Sequence, residues 1–122
     1  SDRSVKTSLV IVILILIGFA TFADVVTATT AESQVAFTNS QSNFAWSPSA
    51  VVYQRADVVP VTVSIYRHGQ GQVVLLSTIS ATASNIIWIP EGRYFFGTDS
   101  SLVLTSSVNN FTVQLHREAA HD

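Results

Sequence analysis

Apolar and polar residues are distributed in two different ways along this chain. Residues 7–23 (TSLVIVILILIGFATFA) carry no charge, and charged residues flank them on both sides. Together with the two valines that follow Asp24, this run reaches about 20 residues, which is the length of a membrane-spanning helix. We therefore predict a long N-terminal hydrophobic α-helix over residues 1–35.

Three interpretations of this segment stay open from its pattern alone: a cleaved signal peptide, a retained single-pass anchor, and a helix that packs against identical helices in a filament core. A signal peptide has the same order of basic start, apolar run and small residues. Lipid and a filament core surround a side chain with the same apolar material, so hydropathy does not separate the other two. The predicted packing or membrane residues are Leu9, Ile11, Ile13, Leu14, Ile15, Leu16, Ile17, Phe19 and Phe22.

Beyond residue 50 the apolar residues recur at every second position, which is typical of half-buried strands. Residues 59–67 (VPVTVSIYR) alternate in this way, and the two glycines in residues 68–72 (HGQGQ) predict a hairpin turn. Turn signals separate about seven strands. They are predicted at residues 51–55, 59–67, 73–79, 86–89, 94–96, 102–105 and 111–115.

The predicted fold class is therefore a long N-terminal hydrophobic α-helix followed by a small all-β antiparallel sandwich. Its parts are the helix over residues 1–35, a connector over 36–50, the sandwich over 51–117 and a flexible tail over 118–122. Basic residues precede the apolar run and acidic residues follow it. This asymmetry predicts a membrane-anchored or cell-surface protein with its N-terminus on the cytoplasmic side and its β-domain outside.

Composition limits the classes of partner that the chain is expected to bind. Charged residues make up 11% of the chain and its formal net charge is −2, so no basic face is expected and nucleic acid is excluded as a partner. The absence of cysteine excludes disulfides and thiolate metal sites within the chain. So few charges predict packing against copies of the chain or against other subunits.

No group of residues predicts catalysis or a cofactor, so we expect a non-enzymatic protein. The one local cluster of metal-capable groups is His116, Glu118, His121 and Asp122. It lies at the chain end without a rigid element to hold it, and is interpreted as a solvated tail. Asn110 begins an N-x-T triplet and is the candidate for N-glycosylation.

Two family resemblances follow from these patterns. Residues 61–115, with a glycine hairpin and the later sequence WIPEGRYF, look like small immunoglobulin-like or PEGA-like sandwiches. The whole layout, a hydrophobic helix followed by one β-domain, resembles archaeal type IV pilins and archaellum subunits. This resemblance implies a structural subunit of a cell-surface filament, with helices in the core and sandwiches outside. The alternative is a membrane-anchored accessory subunit, or a membrane-embedded structural protein of a lipid-containing virion.

Overall fold

The computed structural model of the chain describes residues 23–120, and these residues form strands, turns and loops without a helix. Eight strands follow one another along them. They are β1 (Ala23–Thr30), β2 (Gln34–Thr38), β3 (Trp46–Gln54), β4 (Pro60–Gly69), β5 (Gln72–Thr82), β6 (Asn85–Trp88), β7 (Ser101–Ser106) and β8 (Phe111–Ala119).

Antiparallel pairing arranges the strands in two four-stranded sheets with the orders β1-β8-β3-β6 and β2-β7-β4-β5. Most neighbours in a sheet are distant in sequence, and β4–β5 is the one pair joined by a tight turn. This order is that of a jelly roll, which consists of two interlocked Greek keys. The edge strands β1 and β2 lie next to each other, and only two residues join β5 to β6. The sandwich therefore has a β1–β2 side and, opposite it, a β5–β6 side.

The sandwich also has two ends. At the Trp46 end, β3 begins, β8 finishes and the hairpin joins β4 to β5. At the Phe111 end, β8 begins and β3 finishes. The register fixes these positions, because Trp46 pairs with Ala119 and Gln54 pairs with Thr112.

Alternate residues of the strands point between the sheets and form one core. In β4, for example, Val61, Val63 and Ile65 are buried while Pro60 and Thr62 are exposed. Burying such a side chain stabilises the fold by about 1.5–3 kcal/mol. The buried apolar residues are Val35, Phe37, Trp46, Val51, Tyr53, Val61, Val63, Ile65, Ile86, Phe96, Leu102, Val103, Leu104, Phe111, Val113 and Leu115.

The predicted fold class is wrong in its first element. The helix predicted over residues 1–35 is contradicted where the structure describes it, because β1 and the start of β2 occupy residues 23–35. In β1 inward and outward residues alternate in burial, and Thr27, Thr29 and Thr30 are β-branched residues that suit a strand. The segment 7–22, with every residue predicted to pack in a membrane or filament core, lies outside the described residues.

The strand count also differs from the prediction. Residues 94–96, predicted as a strand, make a single bridge between Phe96 and Trp46. Two strands that were not predicted, β1 and β2, complete the edges of the two sheets. The fold is thus a complete eight-stranded sandwich.

Candidate interaction surface

Among the strands of residues 23–120 the most unusual is β5, because it is a long sheet edge without charge. It has 11 residues (QVVLLSTISAT) and pairs on one side with β4. Natural edge strands are usually short, charged, interrupted by proline or bulged, since a free edge pairs with other chains. Of these devices β5 has only the bulge, at Leu76, where the register with β4 shifts.

The first residues of β5 expose large apolar side chains. Val73, Val74 and Leu75 have 63%, 43% and 54% of their surface exposed. Val73 lies opposite His68 and Leu75 lies opposite Tyr66, on the outer face of the sheet. The hairpin before them holds Gln70 and Gly71 at positive φ, as a two-residue turn between twisted strands requires.

The neighbouring edge strand β6 also exposes apolar residues, on the outer face of the other sheet. Ile87 in β6 and Ile89 just after it are 60% and 69% exposed. Single exposed apolar residues are ordinary, whereas several on one side of a molecule mark an interaction site. We call Val73, Val74, Leu75, Ile87 and Ile89 the β5–β6 patch.

Two arginines lie beside the β5–β6 patch in a shallow groove lined also by Val74, Leu76 and Tyr94. The Arg67 Nε donates a hydrogen bond of 2.9 Å to the Phe95 carbonyl oxygen. The Arg93 guanidinium lies 5.5 Å from the centre of the Phe95 ring. Neither arginine has a carboxylate partner among residues 23–120. Arg67 is half-buried against the Phe96 ring, whereas Arg93 is exposed and its charge is available to a docking partner.

A stack of rings and guanidinium groups supports the patch from within. Trp46 and Phe96 stack with their ring centres 4.5 Å apart and their planes 8° apart. The Arg117 guanidinium lies 5.4 Å from the Trp46 ring centre, and that of Arg67 lies 5.8 Å from the Phe96 ring centre. Cations over aromatic faces and stacked rings each contribute about 0.5–1.5 kcal/mol, so this end of the sandwich is a rigid base for the surface.

The β1–β2 side has the opposite charge at the same end. Arg117 is held by Asp24, with hydrogen bonds of 2.8 Å from Nε and 2.5 Å from Nη2 to its two carboxylate oxygens. The hydrogen bond from this guanidinium lowers the pKa of the Asp24 carboxyl below its ordinary value. Glu118 is exposed, lies opposite Ala23 and has no charged partner in the described part of the chain. Val25 beside it is 51% exposed.

The residues predicted as sites from the sequence are not brought together. Asn110 is exposed in the β7–β8 turn at positive φ, at the Phe111 end. His116 and Glu118 lie on β8, while His121 and Asp122 are outside the described residues. Residues 23–120 contain no group of three metal-capable side chains. The possible glycosylation of Asn110 stays a prediction.

Sequence reasoning did not identify the β5–β6 patch. The signal that could have found it is the absence of any charged residue from 69 to 90, a range that covers both β5 and β6. Strands that face solvent normally carry charges on that face. The run therefore indicates a covered surface rather than a solvated one.

Comparison with solved structures gives a fold relationship. The chain is similar to the core of Drosophila NLP, in a study of pentamer formation and histone binding, with 11% identity and a TM-score of 0.50 over 84% of this chain and 99% of that one. A weaker similarity is to the nucleoplasmin-like N-terminal domain of Drosophila FKBP39, with 8% identity and a TM-score of 0.46 over 84% of this chain and 92% of that one. Another is to Bacillus endospore appendages, with 14% identity and a TM-score of 0.26 over 83% of this chain and 88% of that one. Those two add nothing to the fold assignment. No protein-family model and no curated protein matches the sequence.

These findings overturn the predicted resemblance and function. The described residues form a nucleoplasmin-like all-β fold with the strand order of a jelly roll, not the predicted immunoglobulin-like or PEGA-like sandwich. The archaeal pilin resemblance required a helix that runs through residues 23–35, where β1 and the start of β2 lie. In residues 23–120 no helix is long and apolar enough to cross a membrane. Five predictions were derived from a helix over residues 1–35, and they are wrong because β1 and the start of β2 occupy residues 23–35. They are the filament subunit, the membrane-anchored alternative, the virion alternative, the partnering through an N-terminal helix or lipid, and the membrane or cell-surface location.

Proposed function

We propose that this chain is a non-enzymatic assembly module that binds further copies of itself through the β5–β6 patch. The observation that carries the proposal is the long uncharged edge strand β5, which exposes three adjacent apolar side chains. Covering Val73 and Leu75 would contribute about 1.5–3 kcal/mol for each fully buried side chain. Such a gain over a few residues is typical of the central part of a protein interface.

The fold relationship supports self-association but not every property of the relative. The Drosophila NLP core, which shares the fold, is described with pentamer formation and histone binding. Binding a basic protein requires a concentrated acidic surface. The acidic residues of the described part are scattered over both ends of the sandwich, and two of them, Asp24 and Asp57, already pair with arginines. The charge pattern therefore favours self-assembly over a basic partner.

A non-catalytic role agrees with the distribution of reactive groups. In the described range, Asp57, Glu91 and Asp99 occupy separate loops, and the two histidines His68 and His116 lie on different sheets. General acid–base catalysis needs such groups within hydrogen-bond reach of one another or of one substrate atom. An assembly module needs none of them.

Sedimentation velocity of the full chain over a concentration series tests the proposal. Wild type is expected to sediment as an oligomer that dissociates on dilution. Leu75→Lys places a charge in the patch, and its half-assembly concentration should rise about tenfold or more, which corresponds to about 1.4 kcal/mol.

The matched control is Val58→Lys. Val58 is 58% exposed, close to the exposure of Leu75, but it lies in the β3–β4 loop at the Phe111 end. This variant should assemble like wild type. A wild-type chain that stays monomeric at every concentration, or equal behaviour of the two variants, would overturn the proposal.

A further inference from the structure

We infer that the copies join head to tail, with the β5–β6 side of one copy against the β1–β2 side of the next, at the level of the Trp46 end. This inference rests on the proposed self-assembly and adds the identity of the opposing surface. Its two contact surfaces are different parts of the same chain. The predicted contact places the β5–β6 patch and Arg93 of one copy near Val25 and Glu118 of its neighbour.

The charges of the two sides are complementary. The β5–β6 side carries Arg67 and Arg93, and its one carboxylate, Glu91, is not within 4 Å of either guanidinium. On the other side Glu118 is likewise unpaired within the described range, because the arginine beside it is already bound by Asp24. A head-to-tail contact brings an unpaired cation against an unpaired anion, which favours the correct orientation of the partners.

Val73 to Leu75 on one surface and Val25 on the other lie toward the same end of the strands. In β5, Val73 is opposite His68, near the hairpin at the Trp46 end. In β1, Val25 is opposite His116, just on the Trp46 side of the middle of β8. With the exception of Val58, the large exposed apolar residues of the described chain lie on β1, β5 or β6 or next to β6. A rotation about an axis roughly along the strands therefore brings Val73, Val74 and Leu75 of one copy near Val25 of the next.

A two-fold contact of β5 with β5 fits these residues less well. If it were centred on Val73 to Leu75, it would place Arg67 and Arg93 of one copy near the same arginines of its partner, and like charges across an interface oppose association. It would also leave Val25 and Glu118 without a contact. Head-to-tail contacts repeat from copy to copy and close into a ring when the rotation allows it.

Charge reversal at the two ends of the predicted contact tests the inference in the full chain. Arg93→Glu and Glu118→Arg should each raise the half-assembly concentration about tenfold. The double variant with both changes restores opposite charges and should assemble close to the wild-type concentration. Glu32→Arg, a change of the same kind in the β1–β2 turn at the Phe111 end, is the matched control and should have no effect.

A mixing experiment gives a second readout that does not depend on the Arg93–Glu118 charge pair. Leu75→Lys blocks the β5–β6 side and Val25→Lys blocks the β1–β2 side, so each variant alone should be monomeric. A mixture combines one intact side from each variant and should form a dimer that grows no further. Both residues are more than half exposed, so the substitutions leave the core intact, and far-ultraviolet circular dichroism checks this.

The outcomes separate this inference from the proposed function. If wild type assembles and Leu75→Lys does not, while Val25→Lys and Glu118→Arg assemble normally, the contact is two-fold and the head-to-tail inference is overturned. Assembly of the Leu75→Lys and Val25→Lys mixture beyond a dimer also overturns it. If wild type itself is monomeric, the proposed function fails first.

Discussion

The two ends of the sandwich have similar cores and different surfaces. At the Trp46 end a stacked tryptophan and phenylalanine lie between two arginines, and apolar residues are exposed on both sides of the molecule. At the Phe111 end Tyr53 and Phe111 pack with ring centres 4.9 Å apart, and serines and threonines surround them. The aromatic pairs at both ends are buried, so the greater number of exposed apolar residues toward the Trp46 end, namely Val25, Val73, Val74 and Leu75, is not explained by folding.

That difference indicates which part of the surface is suited to binding a partner. A stable core requires only that alternate residues face inward, and both ends meet this requirement. Apolar residues on outer faces and free edges add nothing to the monomer and promote association. The uneven distribution therefore points to assembly at the Trp46 end.

The largest effect is expected from removing the tryptophan that supports this end. Trp46→Ala should lower the free energy of unfolding by about 3–5 kcal/mol, because it leaves a cavity beneath Arg117 and beside Phe96. Urea unfolding followed by circular dichroism measures this loss. Trp46→Phe should cost clearly less, since it keeps a ring on Phe96 and removes an indole N–H that has no hydrogen-bond partner in the described structure. Equal losses for the two variants would argue against the stack.

A smaller loss of stability is expected from a substitution at the Phe111 end. The Tyr53 hydroxyl lies 2.8 Å from the Ser106 Oγ within the core. Tyr53→Phe removes this hydrogen bond, while the Ser106 Oγ keeps the one that it accepts from the Val108 N–H. The free energy of unfolding should therefore fall by about 0.5–1.5 kcal/mol. Assembly should be unaffected, because the site lies away from the β5–β6 patch. A change in sedimentation of this variant would mean that the Phe111 end takes part in the interface.

The smallest expected effect concerns the ion pair on the β1–β2 side. Asp24→Asn should cost less than about 1 kcal/mol, because the Asp24 side chain is 37% exposed and solvent screens the pair. Arg117 lowers the pKa of Asp24 in the folded state, so the pair stabilises the fold above the unfolded pKa of about 4. The difference between wild type and the variant should be constant above about pH 5 and vanish as the pH falls through the folded pKa. Thermal unfolding across this range measures it, and a difference that grows in acid would contradict the assignment.

Some elements of the fold are visible in the sequence. Alternation in residues 59–67 predicts a strand where β4 lies, and the glycines of residues 68–72 predict the turn to β5. Residues 23–35 mislead because alanine and threonine occupy most of β1, so inward and outward positions differ little in hydropathy. Following an apolar run, such a sequence is easily taken as the continuation of a helix. The pairing of β1 with the distant β8 decides its conformation, and no local pattern reveals that partner.

The candidate surface could be predicted only in part. The sequence shows that residues 69–90 lack charge, and it cannot show that β5 and β6 are edges, because this depends on the strand order of both sheets. Similarly, Val25 and Glu118 are distant in the chain and adjacent strands bring them to one side. The three-dimensional arrangement therefore supplies the opposing charges and the placement toward one end of the strands on which the head-to-tail inference depends.

Hydrogen exchange along β5 tests the central claim most directly, because this strand runs from the Trp46 end of the sandwich to the Phe111 end. The full chain would be measured at concentrations below and above assembly. We predict that amides of residues 72–76, at the Trp46 end, exchange more slowly in the assembly, while those of residues 78–82 exchange at the same rate in both states. Equal exchange of residues 72–76 in the two states, despite a change in sedimentation, would contradict the account.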